Sequence, residues 1–347
     1  MTPVDGYRTG VATVSVKIRT APLISVIIKQ MKHTKRYVIA TILVLAVLGI
    51  SIWYLRLPFH HFPILNTGPS EAELANARHG HPIIRPSFAD LSYAKDSPFE
   101  KLDLYLPKNP KQLCPVVIWI HGGGLILGDK RSMPQSDFGP APIPKGPYGP
   151  YQVQVPDVAM LLSHGYAVVG LNYRLGVSVF TAGPNALRDC KAAVRFLRAH
   201  AKEYQLDSSR FAVWGNSMGG YLAAMLGATG DQPTGFDEPR LGNNEESSGV
   251  QAVIVWYGAE DRMPGERLSI QHYLSSAKKV PPFLIVNGDR DPVISPEQAR
   301  RLHENLLRVS AQSVLTIVPG AGHEDPLFTK TQMTPAIEFL DRTIGSR

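Results

Sequence analysis

The chain has 347 residues, 44% of them hydrophobic, which is ample for a substantial core in one large domain or two small ones. Its formal charge is +7, but all except one of the excess positive charges lie before position 37, on Arg8, Lys17, Arg19, Lys29, Lys32, Lys35 and Arg36 against Asp5. The remainder is nearly neutral, which removes the electrostatic case for a nucleic-acid partner. Cys114 and Cys190 permit one disulfide at most; with one opening a strand and the other mid-helix, they read as a free pair.

Residues 1–36 form a basic tail, in which Met31 begins a compact MKHTKR start of its own. The run from Tyr37 to Leu55 carries no charge and is apolar on all faces. It is close to the roughly 20 residues that cross a hydrocarbon core, so it reads as a transmembrane helix. The basic flank from Lys29 to Arg36 should stay cytoplasmic and send everything after Arg56 to the periplasmic or extracellular side. Gly49 and Ser51 offer a weak cleavage site, with secretion as the alternative. Ile52, Trp53 and Tyr54 prolong the apolar run, and an uncleaved signal-anchor is preferred. Residues 56–89 are mixed in Pro, His, Gly and Asn, with one helical patch near Glu71 to Ala77, as in a linker before a domain spanning 90–347.

Within that domain the pattern alternates. Strand-like runs at Lys101–Leu106, Val116–Ile120, Ala167–Leu171, Phe211–Trp214, Val250–Trp256, Phe283–Val286 and Val314–Val318 are separated by helical stretches at Asp157–Ser163, Leu187–Glu203, Met218–Ala228, Pro296–Val309 and Thr334–Thr343. Near-continuous apolar strands between helices specify a mostly parallel sheet covered on both faces, a doubly wound α/β architecture. From Ser132 to Pro156 prolines and glycines crowd around Tyr148 and Tyr151, and no period survives. That segment reads as a long loop bordering the site or as a surface insertion.

Gly215-Asn216-Ser217-Met218-Gly219 fits the G-x-S-x-G turn, which lifts a nucleophilic serine out of a strand-to-helix corner. The apolar Phe211–Trp214 before it and YLAAMLGA after it supply the strand and the helix that the turn requires. His121-Gly122-Gly123-Gly124 leaves the carboxyl end of Val116–Ile120, where parallel sheets bind ligands. The amides of Gly123, Gly124 and Met218 are assigned to an oxyanion hole, and His121 to shaping the loop. Asp289 and Asp291 come after the strand Phe283–Val286. Asp291 is preferred as the orienting acid because it lies farther out, before Pro292-Val293. His323, at the end of Pro319-Gly320-Ala321-Gly322-His323 after the last strand, completes the order Ser, Asp, His.

HGGG, GNSMGG, NGDRDPV and GAGHE, with the flanking KLDLYLP, NYRL and VQAVIVWYG, resemble the alpha/beta-hydrolase esterases of the hormone-sensitive lipase and feruloyl-esterase-like groups, from about Asp90 onward. The resemblance places nucleophile, acid, base and oxyanion glycines on Ser217, Asp291, His323, Gly123 and Gly124. Asn216 and Met218 depart from the acidic residue and the alanine that many relatives carry there. The activity implied is that of a carboxylic-ester hydrolase, with a Ser-His-Asp acyl-enzyme mechanism and a small-molecule ester substrate. No metal-spaced cluster or dinucleotide fingerprint occurs, so no metal or cofactor is expected. A serine peptidase, an acyltransferase and an inactive anchored binding protein are the rivals, and oligomeric state is not legible. The segment from Gly258 to Pro281 is short and charged, with Glu260, Asp261, Arg262, Glu266 and Arg267. Such a cap suits small acyl groups better than a long apolar tunnel would.

Overall fold

The structure, a computed structural model, describes residues 84–126, 128–130, 141–142, 152–153, 156–176, 179–260, 263, 265–277 and 279–345, all within the unit Pro58–Arg347. The basic tail, the apolar run Tyr37–Leu55 and most of the linker lie outside the described residues. Among the described residues no helix is long and apolar enough to cross a membrane.

The elements in chain order are β1 (Phe88–Ser92), β2 (Lys101–Tyr105), β3 (Cys114–Ile120), β4 (Ala141–Pro142), β5 (Gln152–Val153), α1 (Val158–Ser163), β6 (Ala167–Leu171), α2 (Val179–Ala199), β7 (Leu206–Asn216), α3 (Met218–Thr229), β8 (Ala252–Trp256), α4 (Ile270–Leu274), β9 (Phe283–Gly288), α5 (Pro296–Arg308), β10 (Ser313–Val318) and α6 (Leu327–Thr343). Eight of the described strands form one sheet in the order β1-β2-β6-β3-β7-β8-β9-β10. The ladders on either side of β2 are antiparallel, and every pairing from β6 to β10 is parallel. The parallel portion points the carboxyl ends of β3, β7, β8, β9 and β10 to one rim, and that rim carries the site.

Strand alternation sorts side chains into two cores. On β3, Val116, Ile118 and Ile120 face the core under α2, α3 and α5, whereas Val117 and Trp119 face the core under α1 and α6. β7 and β8 repeat the division, with Trp214 and Trp256 on the second face. Trp214 meets Trp256 edge-on with ring centroids 4.9 Å apart, and Trp119 meets Trp214 at 6.3 Å. Coverage of both faces is what makes these strands read as unbroken apolar runs.

Several boundaries differ from expectation for local reasons. α2 begins at Val179 rather than Leu187, and α6 at Leu327 rather than Thr334; each contains a proline, Pro184 in the second turn of α2 and Pro335 at the middle of α6. Each proline removes one helical hydrogen bond and crowds the carbonyl four residues before it, and packing outweighs that loss. β1 is short and largely exposed, so it gives no apolar signal, and α4 holds five residues. Between Ser132 and Pro156 the described residues pair as the small antiparallel ladder β4-β5. Cys114 and Cys190 are both free and buried.

After β6, the chain is pinned to α2 and to the start of β2. Arg174 donates from Nε and Nη2 to Asp189 Oδ1 at 3.0 and 2.6 Å and lies 3.4 Å from Glu100 Oε1. Both carboxylate side chains are fully buried. A planar guanidinium suits such paired contacts. Burial pushes both carboxyls up, against the opposing pull of Arg174.

Candidate active site

Ser217 occupies the corner between β7 and α3 with φ 51° and ψ −122°, a conformation costing a side-chain-bearing residue about 1–3 kcal/mol. The surroundings enforce it. Ser217 N–H donates to Trp256 O (3.0 Å), and Tyr221 N–H returns to Ser217 O (3.1 Å). The flanking positions must be glycine because the backbones nearly touch. A Cβ on Gly215 would lie 2.1 Å from Gly219 O, and one on Gly219 would lie 2.1 Å from Ile120 O.

His323 arrives on the turn after β10. Its Nδ1–H donates to Asp291 Oδ2 at 2.7 Å, and Ser217 Oγ–H donates to its Nε2 at 3.1 Å. These bonds assign the tautomer: the proton is on Nδ1, leaving Nε2 as the acceptor that a general base needs. Asp291 is itself held by the amides of Val293 and Ile294, both 2.8 Å from Oδ1. Its side chain is fully buried, and that of His323 nearly so. Asp289 does another job, accepting from Gly320 N–H at 2.6 Å, which fixes the turn that presents His323. The structure thus brings the three expected side chains into hydrogen-bonded sequence and separates the two aspartates in the expected sense.

The glycine loop reaches Ser217 from β3. A Cβ on Gly122 would lie 3.2 Å from Ser217 Cβ, and one on Gly124 would meet nothing within 4 Å. Gly123 and Gly124 have φ of 102° and 68°, open to glycine at little cost. Among the described residues, the amides of Gly123, Gly124 and Met218 donate to no backbone carbonyl. Met218 follows Ser217 directly, and Gly123 and Gly124 follow the glycine that lies against it. His121 shapes the loop from behind. It is buried, stacks on Tyr173 at 4.4 Å, and donates from Nδ1 to Gly122 O at 2.7 Å. Burial lowers its basicity.

Three contributors were not assigned from sequence. Asn216 is fully buried; its Oδ1 accepts from Gly122 N–H at 2.8 Å and its Nδ2 donates to Tyr257 Oη at 3.3 Å. It ties the glycine loop to the nucleophile turn. Tyr257 sets its ring edge-on to His323, with centroids 4.8 Å apart. Glu324 follows His323 in a left-handed conformation, φ 58°. Burial pushes its carboxyl up from the ordinary 4.5 to about 7, opposed by His323 and reinforced by Asp291. The position before the serine could have flagged Asn216, since its side chain has nowhere to go but the loop from the next strand. Among the described residues no group of three or more His, Cys, Asp or Glu could hold a metal ion.

The BD-FAE family model matches residues 102–142 and 148–271. Esterase LipC of Mycobacterium tuberculosis is 28% identical over 281 residues, covering 73% of this chain and 64% of LipC; this chain thus spans under two thirds of that curated relative. A truncated carbohydrate esterase from gut microbiota superposes with a TM-score of 0.59 at 25% identity, over 80% of this chain and 99% of that one. Esterase 2 of Thermogutta terrifontis, phosphonylated by cyclosarin, shares the fold, with a TM-score of 0.58 at 22% identity over 75% and 96% of the two chains.

Two variants probe the arrangement. Asn216→Ala leaves the Gly122 amide buried without an acceptor, and kcat should fall about 10- to 100-fold as the loop shifts. Steady-state kinetics on a protein with an unchanged circular-dichroism spectrum checks this. Glu324 keeps its proton in the fold to about 7 but releases it near 4.5 when unfolded. Its contribution to stability is therefore complete below the lower value and is lost as pH rises through the upper one. Glu324→Gln should lose less melting temperature than wild type between about pH 5 and about pH 8; equal losses in thermal melts would contradict the assignment. In sequence motifs and in fold, the chain is similar to the α/β-hydrolase esterases.

Proposed function

We propose that this chain hydrolyses carboxylic esters through an acyl-enzyme on Ser217. The observation that carries the reading is the alignment of Ser217 Oγ, His323 and Asp291, at 3.1 and 2.7 Å. His323 Nε2 takes the hydroxyl proton as Oγ bonds to the ester carbonyl carbon, and Asp291 stabilises the imidazolium that forms. The carbonyl oxygen becomes an oxyanion facing the amides of Gly123, Gly124 and Met218, each of which is worth on the order of 3 kcal/mol of transition-state stabilisation. His323 then protonates the departing alcohol. Water, deprotonated by the same nitrogen, attacks the acyl-enzyme and releases the acid, restoring Ser217. The esterase names of LipC and of the gut carbohydrate esterase support this chemistry.

Small acyl groups are the preferred substrates in this reading. After β8 the described cap consists of the 3-10 turn Glu266–Leu268 and the five-residue α4, too little to roof a long chain. A tunnel would reward each buried methylene by about 0.8 kcal/mol. Across acetyl, butyryl, octanoyl and dodecanoyl esters, kcat/KM should peak at acetyl or butyryl. Ser217→Ala should abolish turnover on all four. A maximum at octanoyl or beyond contradicts the substrate reading, and turnover by Ser217→Ala contradicts the mechanism.

Attachment to a membrane through Tyr37–Leu55, with the catalytic domain on the non-cytoplasmic side, is the accompanying proposal. The basic cluster before the run and its lack of charge support it. Full-length protein should stay in the membrane fraction through an alkaline carbonate wash; its release uncleaved into the supernatant would contradict the anchor.

A further inference from the structure

We propose that Tyr173, through its hydroxyl, is a positioning residue for the oxyanion hole and aims the Gly123 amide from behind. This rests on the ester-hydrolase reading and adds a residue to its machinery. Tyr173 stands two residues beyond the end of β6 at Leu171 and is fully buried. Its Oη–H donates to His121 O at 2.7 Å. The same oxygen lies 3.3 Å from His121 Nδ1 and 3.4 Å from Gly122 O. One phenol thus touches two successive peptides of the loop that leads to Gly123, and its ring stacks on the His121 imidazole at 4.4 Å.

Peptide planarity turns these contacts into direction. In a trans peptide the C=O and the N–H that follows it point to opposite sides. The peptide between His121 and Gly122 shows the result. Its C=O faces Tyr173, while its N–H donates at 2.8 Å to Oδ1 of Asn216, the residue before the nucleophile. The next peptide, between Gly122 and Gly123, has its C=O held by His121 Nδ1–H at 2.7 Å with Tyr173 Oη beside it. Its N–H is the Gly123 amide, which therefore faces away from the tyrosine. Gly122 lies against the nucleophile, where a Cβ would come to 3.2 Å from Ser217 Cβ.

The tyrosine is clamped on both sides. Before it, Asn172 N–H donates to Lys101 O at 3.0 Å, its Oδ1 accepts from Lys130 N–H at 2.5 Å, and its Nδ2 donates to Asp129 Oδ2 at 3.0 Å. After it, Arg174 N–H donates to Asp189 Oδ2 at 2.8 Å. The far end of the glycine loop is thereby tied to the residue beside Tyr173. The imidazole has no room to turn, since a Cβ on Gly128 would lie 2.2 Å from His121 Nδ1, and the His121 carbonyl is backed by α3, 2.5 Å from a Cβ on Gly219. A hydroxyl held this firmly fixes the peptides it touches. An amide that loses its aim forfeits stabilisation of the transition state rather than binding of the ester, so the effect belongs in kcat.

The test is Tyr173→Phe, which deletes the hydroxyl and keeps the ring on His121. Reactive serines are counted by fluorophosphonate labelling to completion, so that a partly folded preparation still reports per site. With 4-nitrophenyl acetate, kcat per labelled serine should fall about 10-fold while KM stays within about twofold of wild type. A trifluoromethyl ketone supplies the second readout. Ser217 Oγ bonds to its carbonyl carbon, the hydroxyl proton passes to His323 Nε2, and the ketone oxygen becomes an oxyanion facing the loop. Its inhibition constant should rise about 10-fold, in step with the loss in kcat. An unchanged kcat per serine, even at a lower melting temperature, overturns the inference and leaves the hydroxyl a structural bond. A fall in kcat with ketone affinity intact overturns it too, and in both cases ester hydrolysis stands. Wild type that neither hydrolyses the ester nor takes the label overturns the ester reading and this inference with it.

Discussion

Everything at the catalytic rim depends on how closely α3 approaches the ends of β3 and β7. With a Cβ on Gly219 reaching to 2.1 Å from the Ile120 carbonyl, no side chain fits between helix and sheet. That approach forces the backbone through a turn too sharp for ordinary dihedrals, and Ser217 takes the strained position. The cost of about 1–3 kcal/mol is offset by hydrogen bonds on both sides of the serine and by a helix whose residues are all buried. What the strain yields is direction: Oγ leaves the corner toward the rim, where His323 meets it.

The rest of the site is a set of loops brought to that fixed point by parallel strands. β3 delivers the glycine loop, β8 delivers Tyr257, β9 delivers Asp291 and β10 delivers His323. The glycine loop and the turn before His323 are pinned by polar contacts with neighbouring strands' loops, and the Asp291 loop by amides of its own. Asn216 binds the amide of Gly122, Asp289 binds the amide of Gly320, and the Val293 and Ile294 amides bind Asp291. Such contacts in a buried setting are strong when complete and costly when broken. The departure of Asn216 from the acid found in many relatives then has a local meaning. An amide can accept from Gly122 while donating to Tyr257, which an ionised carboxylate could not do.

The parallel sheet and the order of the three hydrogen-bonded side chains were legible because they are written in short range. Apolar runs such as Val116–Ile120 mark strands buried on both faces, and the turns after them fall on one rim by topology alone. Asp291 was separable from Asp289 by how far each lies beyond its strand. The early turns of α2 and α6 were hidden by Pro184 and Pro335, whose local signal opposes the packing that overrides it. Tyr257 and Glu324 were missed for a different reason, since no spacing within the chain announces them, and Asn216 was marked only by its place before the serine.

Acylation of Ser217 during turnover is the step on which the mechanism stands. It can be caught by rapidly quenching a reaction with 4-nitrophenyl acetate and weighing the digested peptides by mass spectrometry. One acetyl group should appear on the peptide containing Ser217, formed in a burst and lost on incubation, and none in Ser217→Ala. An acetyl group on another residue with turnover intact, or steady hydrolysis by Ser217→Ala, would contradict the mechanism.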